Sequence, residues 1–298
     1  MYKIAIASGK GGTGKTSVAV NLVNRYQKPI QYVDVDVEEP NGHIYLKPHW
    51  QTKKSALVDV PEIDDHWCTL CGKCKDACQF NALAIIPNKG VMVFPELCHG
   101  CGACLLACPQ KAISDTSRLI GKVCLGVSDI KSEIRLIQGV LNEGEAKSPP
   151  LIKATKKEIS DDTIAIIDAP PGTSCPVVDS VKGADLVVLV TEPTPMGLND
   201  LKLAAAMSIK MGLPIAAIIN KTDITDFPDT EQYLKEGGIP ILMKLPFDRK
   251  LAEASAAGEL ITSNSHFIKN YFDYCWENLL NLLEQKREVS GHETISHS

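Results

Sequence analysis

The sequence lacks an excess of basic charge: 31 Lys and Arg stand against 36 Asp and Glu, for a formal net charge of -5. Coating nucleic acid or hugging an anionic membrane takes clustered Lys and Arg, so neither a nucleic-acid partner nor stable membrane binding is expected. Long apolar runs are also missing. The longest reach about six residues, against the roughly 20 that cross a bilayer. No charged, then apolar, then small-residue segment opens the chain. Residues 3–7 (Lys-Ile-Ala-Ile-Ala) lead straight into a glycine-rich loop, which leaves nothing to cleave as an export signal and points to a cytoplasmic protein. At the other end, residues 290–298 (Ser-Gly-His-Glu-Thr-Ile-Ser-His-Ser) are neither basic nor apolar. They give no amphipathic anchor, and residues 289–298 read as a frayed polar tail.

What the chain does have is cysteine, 11 in 298 residues. An odd number without an export signal argues against disulfide pairing and for thiolates that hold a metal. Eight fall in two copies of one spacing: Cys68, Cys71, Cys74 and Cys78, then Cys98, Cys101, Cys104 and Cys108. The flanking residues repeat as well, with Cys-Gly-Lys-Cys-Lys-Asp-Ala-Cys at 71–78 and Cys-Gly-Ala-Cys-Leu-Leu-Ala-Cys at 101–108. An internal repeat of this kind marks a small domain over residues 61–118.

Around it the pattern is different. Short Val- and Ile-rich runs at residues 4–7, 30–35, 164–167, 186–190, 215–219 and 241–245 show no polar alternation, as strands covered on both faces require. Helical patterns lie between them at 15–26, 198–211, 249–257 and 266–285. This alternation reads as an α/β fold with a mostly parallel sheet over residues 1–60 and 119–298. Residues 143–150, polar and proline-ended, read as a surface loop.

Residues 9–16 (Gly-Lys-Gly-Gly-Thr-Gly-Lys-Thr) fit the phosphate-loop pattern, placed after an apolar strand and before a helix. Gly11, Gly12, Thr13, Gly14 and Ser17 supply a backbone that curls around phosphate oxygens. Lys15 reaches the terminal phosphates and Thr16 can ligate Mg²⁺. Asp36 ends the second apolar run and Asp168 the run at 164–167, where carboxylates can meet nucleotide at the carboxyl edge of a sheet. Either aspartate alone also suits a helix cap.

The second lysine of the loop, Lys10, makes it resemble the deviant Walker A loop of the MinD/ParA/Mrp and nitrogenase iron protein group. That resemblance implies a P-loop ATPase fold and an ATP-dependent homodimer in which Lys10 reaches the partner's nucleotide; a solvated loop lysine is the alternative. By the same similarity Asp36 orients or activates the attacking water, with Asn41 in its switch segment, and Asp168 holds Mg²⁺ through water. Gly172 then brings a backbone amide to the γ-phosphate. Asn220, in Asn-Lys-Thr-Asp at 220–223, looks like the base reader, for adenine in this group although guanine in GTPases. Pro246 and Asp248 resemble a second base-contacting segment; a helix cap at Asp248 is the plain alternative.

The cysteine runs resemble two-cluster bacterial ferredoxins, which implies an inserted α+β ferredoxin-like domain with two [4Fe-4S] clusters. There the last cysteine of each run crosses over, so Cys68, Cys71, Cys74 and Cys108 would hold one cluster and Cys98, Cys101, Cys104 and Cys78 the other. Structural zinc is the alternative, although it takes separated Cys pairs. Gln79 replaces the proline that follows the last cysteine, which bears on the geometry of the first run. Cys175 lies seven residues after Asp168, the spacing at which the nitrogenase iron protein carries a bridging cluster; a buried or capping thiol is the plain reading. Cys124 and Cys275 read as ordinary, Cys275 as core. The whole pattern leads to a homodimeric ATPase whose nucleotide state gates electron transfer to an unidentified redox partner. The alternative is a carrier or scaffold that delivers clusters to a client protein.

Overall fold

A computed structural model describes residues 1–87 and 89–295. Its main sheet contains β1 (Lys3–Ala7), β2 (Ile30–Asp34), the long β3 (Pro48–Ile63), and, after a small hairpin of β4 (Leu83–Ile86) and β5 (Gly90–Val93), β6 (Ile113–Ser128) and β7 (Ile134–Leu141). The sheet is completed by β8 (Ile164–Asp168), β9 (Leu186–Thr191), β10 (Ile215–Asn220) and β11 (Ile241–Leu245). The helices are α1 (Lys15–Arg25), α2 (Gly42–Leu46), α3 (Lys73–Ala77), α4 (Ala103–Ala107), α5 (Pro149–Lys156), α6 (Cys175–Val181), α7 (Pro195–Lys210), α8 (Asp229–Glu236), α9 (Arg249–Ala256), α10 (Ile261–Asn264) and α11 (His266–Ile295).

The sheet order is β11-β10-β9-β1-β8-β2-β7-β6-β3. From β11 to β7 every neighbouring pair is parallel, and β6 is antiparallel to both β7 and β3. The fold is the expected α/β architecture with a large, mostly parallel sheet. Its central strands are apolar throughout because both faces are covered. One core holds Ile4, Ile6, Leu22, Phe272 and Cys275 under α1 and α11; the other holds Ala5, Val33, Ile167, Leu198 and Leu151 under α5, α6 and α7. Cys275 is fully buried, as a core thiol.

Three strands of the main sheet, and both strands of the β4–β5 hairpin, lie outside the six apolar runs that mark the other strands in the sequence. β7 is interrupted by Arg135, Gln138 and Gly139, while β3 and β6 mix Lys, Ser and Thr with apolar residues. β3 and β6 pair along their whole length, from Pro48 opposite Ser128 to Ile63 opposite Ile113. The expected boundaries at 60/61 and 118/119 fall inside these strands, so the cysteine segment grows from the sheet edge on a continuous ribbon. Two smaller expectations are corrected. Pro149 and Pro150 open α5 instead of ending a loop, since proline is tolerated in a first helical turn. The expected tail from residue 289 continues α11 as far as Ile295, and residues 296–298 lie outside the described residues.

Candidate functional site

The carboxyl ends of β1, β2, β8, β10 and β11 meet at one edge of the sheet, where an α/β fold gathers ligand-binding loops. The loop between β1 and α1 turns on Gly12 and Gly14, at φ 78° and 90°. A Cβ on Gly11 or Gly12 would meet nothing within 4 Å, so the loop is an open cradle of backbone amides. Gly14 is different: a Cβ there would lie 2.5 Å from Asn220 Nδ2, which donates to Thr13 O at 2.8 Å. Asn220 thus braces the loop from β10. Lys15 is buried beneath it.

Three carboxylates face this loop. Asp34 stands opposite Asp168 in the β2–β8 register. Its carboxylate accepts from the Asp36 amide at 3.3 Å and the Gly42 amide at 3.0 Å, tying the end of β2 to the start of α2. The Tyr32 hydroxyl donates to Asp168 Oδ2 at 2.9 Å. Asp168 Oδ1 and Thr13 Oγ1 are buried without a hydrogen-bond partner, and such orphans ask for a further ligand. Burial raises the pKa of Asp168 against the opposing pull of Lys15 and the hydroxyls of Thr16 and Tyr32. Burial and then the Asp168 charge raise Asp34 well above the carboxylate range, and the same two causes push Asp36 up to about 6. Three carboxylates this close under-ionise one another, so a divalent cation here relieves both repulsion and desolvation.

Lys10 rests on Glu192 at 3.3 Å, and Lys221 pairs with the same carboxylate. Although burial opposes it, Lys221 and Lys10 hold Glu192 below its ordinary pKa. Asn41 is exposed just before α2. Gly172 turns at φ 98°, but its amide donates to Ser8 O at 2.9 Å, so in this structure it is committed to the phosphate loop and not free for a phosphate. A cleft of about 360 Å³ runs from Gly12, Gly14 and Ser17 past Asn220 to Pro246 and Asp248. Asp248 sits on this cleft, yet its carboxylate caps α9 through the Lys250 amide at 2.8 Å. Asp223 Oδ1 accepts from the Phe247 amide at 2.5 Å, which positions the 246–248 segment. Glu192, Tyr32 and Asp34 went unassigned in the sequence reading. Asp34 was visible in the Asp-Val-Asp pair of residues 34–36; nothing local marks Glu192, which depends on folding β9 beside β1.

The cysteine segment repeats in space as in sequence. Positive φ recurs at Leu70 and Gly100, at Gly72 and Gly102, and at Asn81 and Lys111, and the two glycines at 72 and 102 cap α3 and α4. Cys78 and Cys108 leave their helices with nearly the same backbone, φ/ψ -85/105° and -80/108°. Gln79 therefore makes the same turn as Pro109. One cavity is lined by Cys68, Cys71, Cys74 and Cys108 among mainly apolar neighbours. The other is lined by Cys98, Cys101, Cys104 and Cys78. Each draws three thiols from one run and one from the other. Four soft thiols around each cavity are a donor set that fits an iron–sulfur cluster. Gly100 and Ala112 amides donate to the sulfurs of Cys98 and Cys108 at 3.4 and 3.3 Å, the type of contact that holds a thiolate in place.

Cys175 is exposed at the first turn of α6, which corrects the buried half of the plain reading and not the capping half. Cys124 is buried in β6. Among the described residues, no helix is long and apolar enough to cross a membrane.

Known proteins bear out the nucleotide edge. A family model described as the CobQ/CobB/MinD/ParA nucleotide binding domain matches residues 4–261. The chain belongs to this family. It is 30% identical over 283 residues to an uncharacterized protein of Methanocaldococcus jannaschii, covering 92% of this chain and 96% of that one. It is also 27% identical over 324 residues to an iron-sulfur cluster carrier protein of Pyrococcus horikoshii, covering 98% and 90%. In fold it resembles the septum site-determining protein MinD of Pyrococcus horikoshii, solved with Mg-ADP, at TM-score 0.59 and 18% identity over 93% and 95% of the two chains.

Proposed function

We propose that this family member is a cytoplasmic ATPase with two resident [4Fe-4S] clusters, in which the nucleotide state of a homodimer gates electron transfer. Residues 1–60 and 119–298 form the ATPase unit and residues 61–118 the cluster-bearing unit. The observation that carries the reading is the pair of cavities, each with a complete set of four thiols, on a ribbon continuous with the nucleotide-binding sheet. Complete ligand sets favour clusters that stay, and a cluster in each cavity supplies one-electron chemistry.

At the nucleotide edge each side chain has a task. The open amides of Gly11 and Gly12 receive phosphate oxygens, and Lys15 neutralises the terminal phosphates. Thr16 ligates Mg²⁺, and the orphaned Asp168 Oδ1 holds it through water. Asp36 orients the attacking water. Lys10 leaves Glu192 for the partner's nucleotide when two copies close, and the Gly172 amide leaves Ser8 for the γ-phosphate. ATP is favoured over GTP because Lys10 makes the phosphate loop resemble that of the deviant Walker A ATPases.

A second reading, delivery of clusters to a client protein, is favoured by the relative that is an iron-sulfur cluster carrier and by the exposure of Cys71 and Cys101. Incubating the anaerobically reconstituted protein with an apo-ferredoxin acceptor and MgATP separates the two. Iron retained on this chain supports resident clusters; transfer of both clusters to the acceptor during turnover supports delivery and overturns gating.

A further inference from the structure

The two thiol cavities differ in their charge. The Cys68/Cys71/Cys74/Cys108 cavity is lined by no ionisable residue besides its thiols, whereas Asp59 and Asp115 line the other. A cation is brought to that second cavity from outside the cysteine segment. The loop after β7, residues 142–148, folds over the second run and carries Lys147, whose Nζ donates to the carbonyl of Leu97, the residue before Cys98. The same Nζ lies 5.8 Å from the centroid of the Phe80 ring, which stacks on His99 at 3.7 Å. Phe80 and His99 both line the cavity wall.

The loop is held in place. Glu145, whose side chain is 4% exposed, receives both arms of Arg118 from β6 at 2.5 and 3.2 Å, a bidentate pair that fixes the register of the loop on the ribbon. Lys147 Nζ therefore reaches both the carbonyl beside Cys98 and the Phe80 ring of the cavity wall.

We propose that Lys147 is an electrostatic positioning residue for the centre held by Cys78, Cys98, Cys101 and Cys104. It stabilises the reduced form of that centre and leaves its twin unaffected. Adding an electron makes a thiolate-bound cluster one charge more negative, so a nearby fixed cation favours the reduced state. The loop continues directly into α5, whose Lys156 ammonium donates to the carbonyls of Asp179, Ser180 and Lys182 at the carboxyl end of α6.

The inference rests on the proposed two-cluster reading, and the test keeps them apart. Full-length protein is reconstituted with iron and sulfide, its iron content measured, and its two centres titrated by EPR-monitored reduction. Cys101→Ser and Cys71→Ser identify which signal belongs to which cavity. In Lys147→Gln, the ratio of reduced to oxidised centre at fixed potential should fall about three- to tenfold at the Cys98 cavity alone, about 30–60 mV at 59 mV per tenfold for one electron. Lys147→Arg should restore it and Lys147→Glu should deepen the shift. Equal shifts at both centres, or none with full iron content, overturn the role of Lys147. A wild-type protein that binds no cluster overturns the reading beneath it.

Discussion

Replacing Asp36 by Asn tests the electrostatics of the nucleotide edge without touching its packing. Burial, then the charge of Asp168, push Asp36 up to about 6, above its ordinary 3.8. The folded state therefore holds a proton that the unfolded chain has released between about pH 4 and 6. Stability falls as pH rises through that window, and the cost persists above it. At full strength the difference is about 3 kcal/mol at 1.36 kcal/mol per pH unit. Asp36 is only partly buried, and solvent screening reduces this to about 1.5 kcal/mol. Asn keeps the shape and removes the charge, which also relieves Asp34 and Asp168. Without nucleotide and with EDTA, Asp36→Asn should melt about 3–6 °C above wild type at pH 7.5. At pH 5 the gap should shrink to about half, and it should close below about pH 4, where Asp36 is protonated in the folded and the unfolded chain. Differential scanning calorimetry across that range reads it directly. An equal gap at pH 5 and 7.5, or a less stable variant at pH 7.5, refutes the argument.

Other expectations are simpler. Gly14→Ala forces a Cβ to 2.5 Å from Asn220 Nδ2 at φ 90°, and should cost about 2 kcal/mol in urea unfolding and abolish ATP binding by calorimetry. If each cavity draws one thiol from the other run, Cys108→Ser should disturb the centre with Cys68 and Cys71 while Cys78→Ser disturbs the other; EPR of the two variants checks the crossing, and the reverse assignment contradicts it. Lys10→Ala should keep ATP affinity within about threefold yet lose ATP-dependent dimerisation in analytical ultracentrifugation, because in the single chain Lys10 contacts Glu192 and not the cleft.

The sequence made the phosphate loop, Asp168 and the cysteine runs legible because each depends on a local spacing. The six strands read from apolar runs belong to the part of the sheet that is buried on both faces, where the side-chain signal is unbroken. β3 and β6 were illegible for the opposite reason: residues 51–55 and 114–117 are exposed, and the ribbon forms by pairing with its partner and not by hydrophobic pattern. Glu192 and Tyr32 matter through contacts made only when β9 lies beside β1 and β2 beside β8. Of the two plain readings of Cys175, packing fails, because the turn into α6 leaves it in solvent although a lone thiol is usually packed.

The central claim is that nucleotide state reaches the clusters. The most direct measurement is the reduction potential of both centres in one reconstituted sample, titrated with MgADP and then with MgATP, and repeated with the Asp36→Asn variant, which should hydrolyse ATP slowly if Asp36 orients the attacking water. The account predicts that ATP shifts the potential of the centre at Cys78, Cys98, Cys101 and Cys104, in step with dimer formation. Identical potentials in the two nucleotide states, with dimerisation and iron content confirmed, would contradict it.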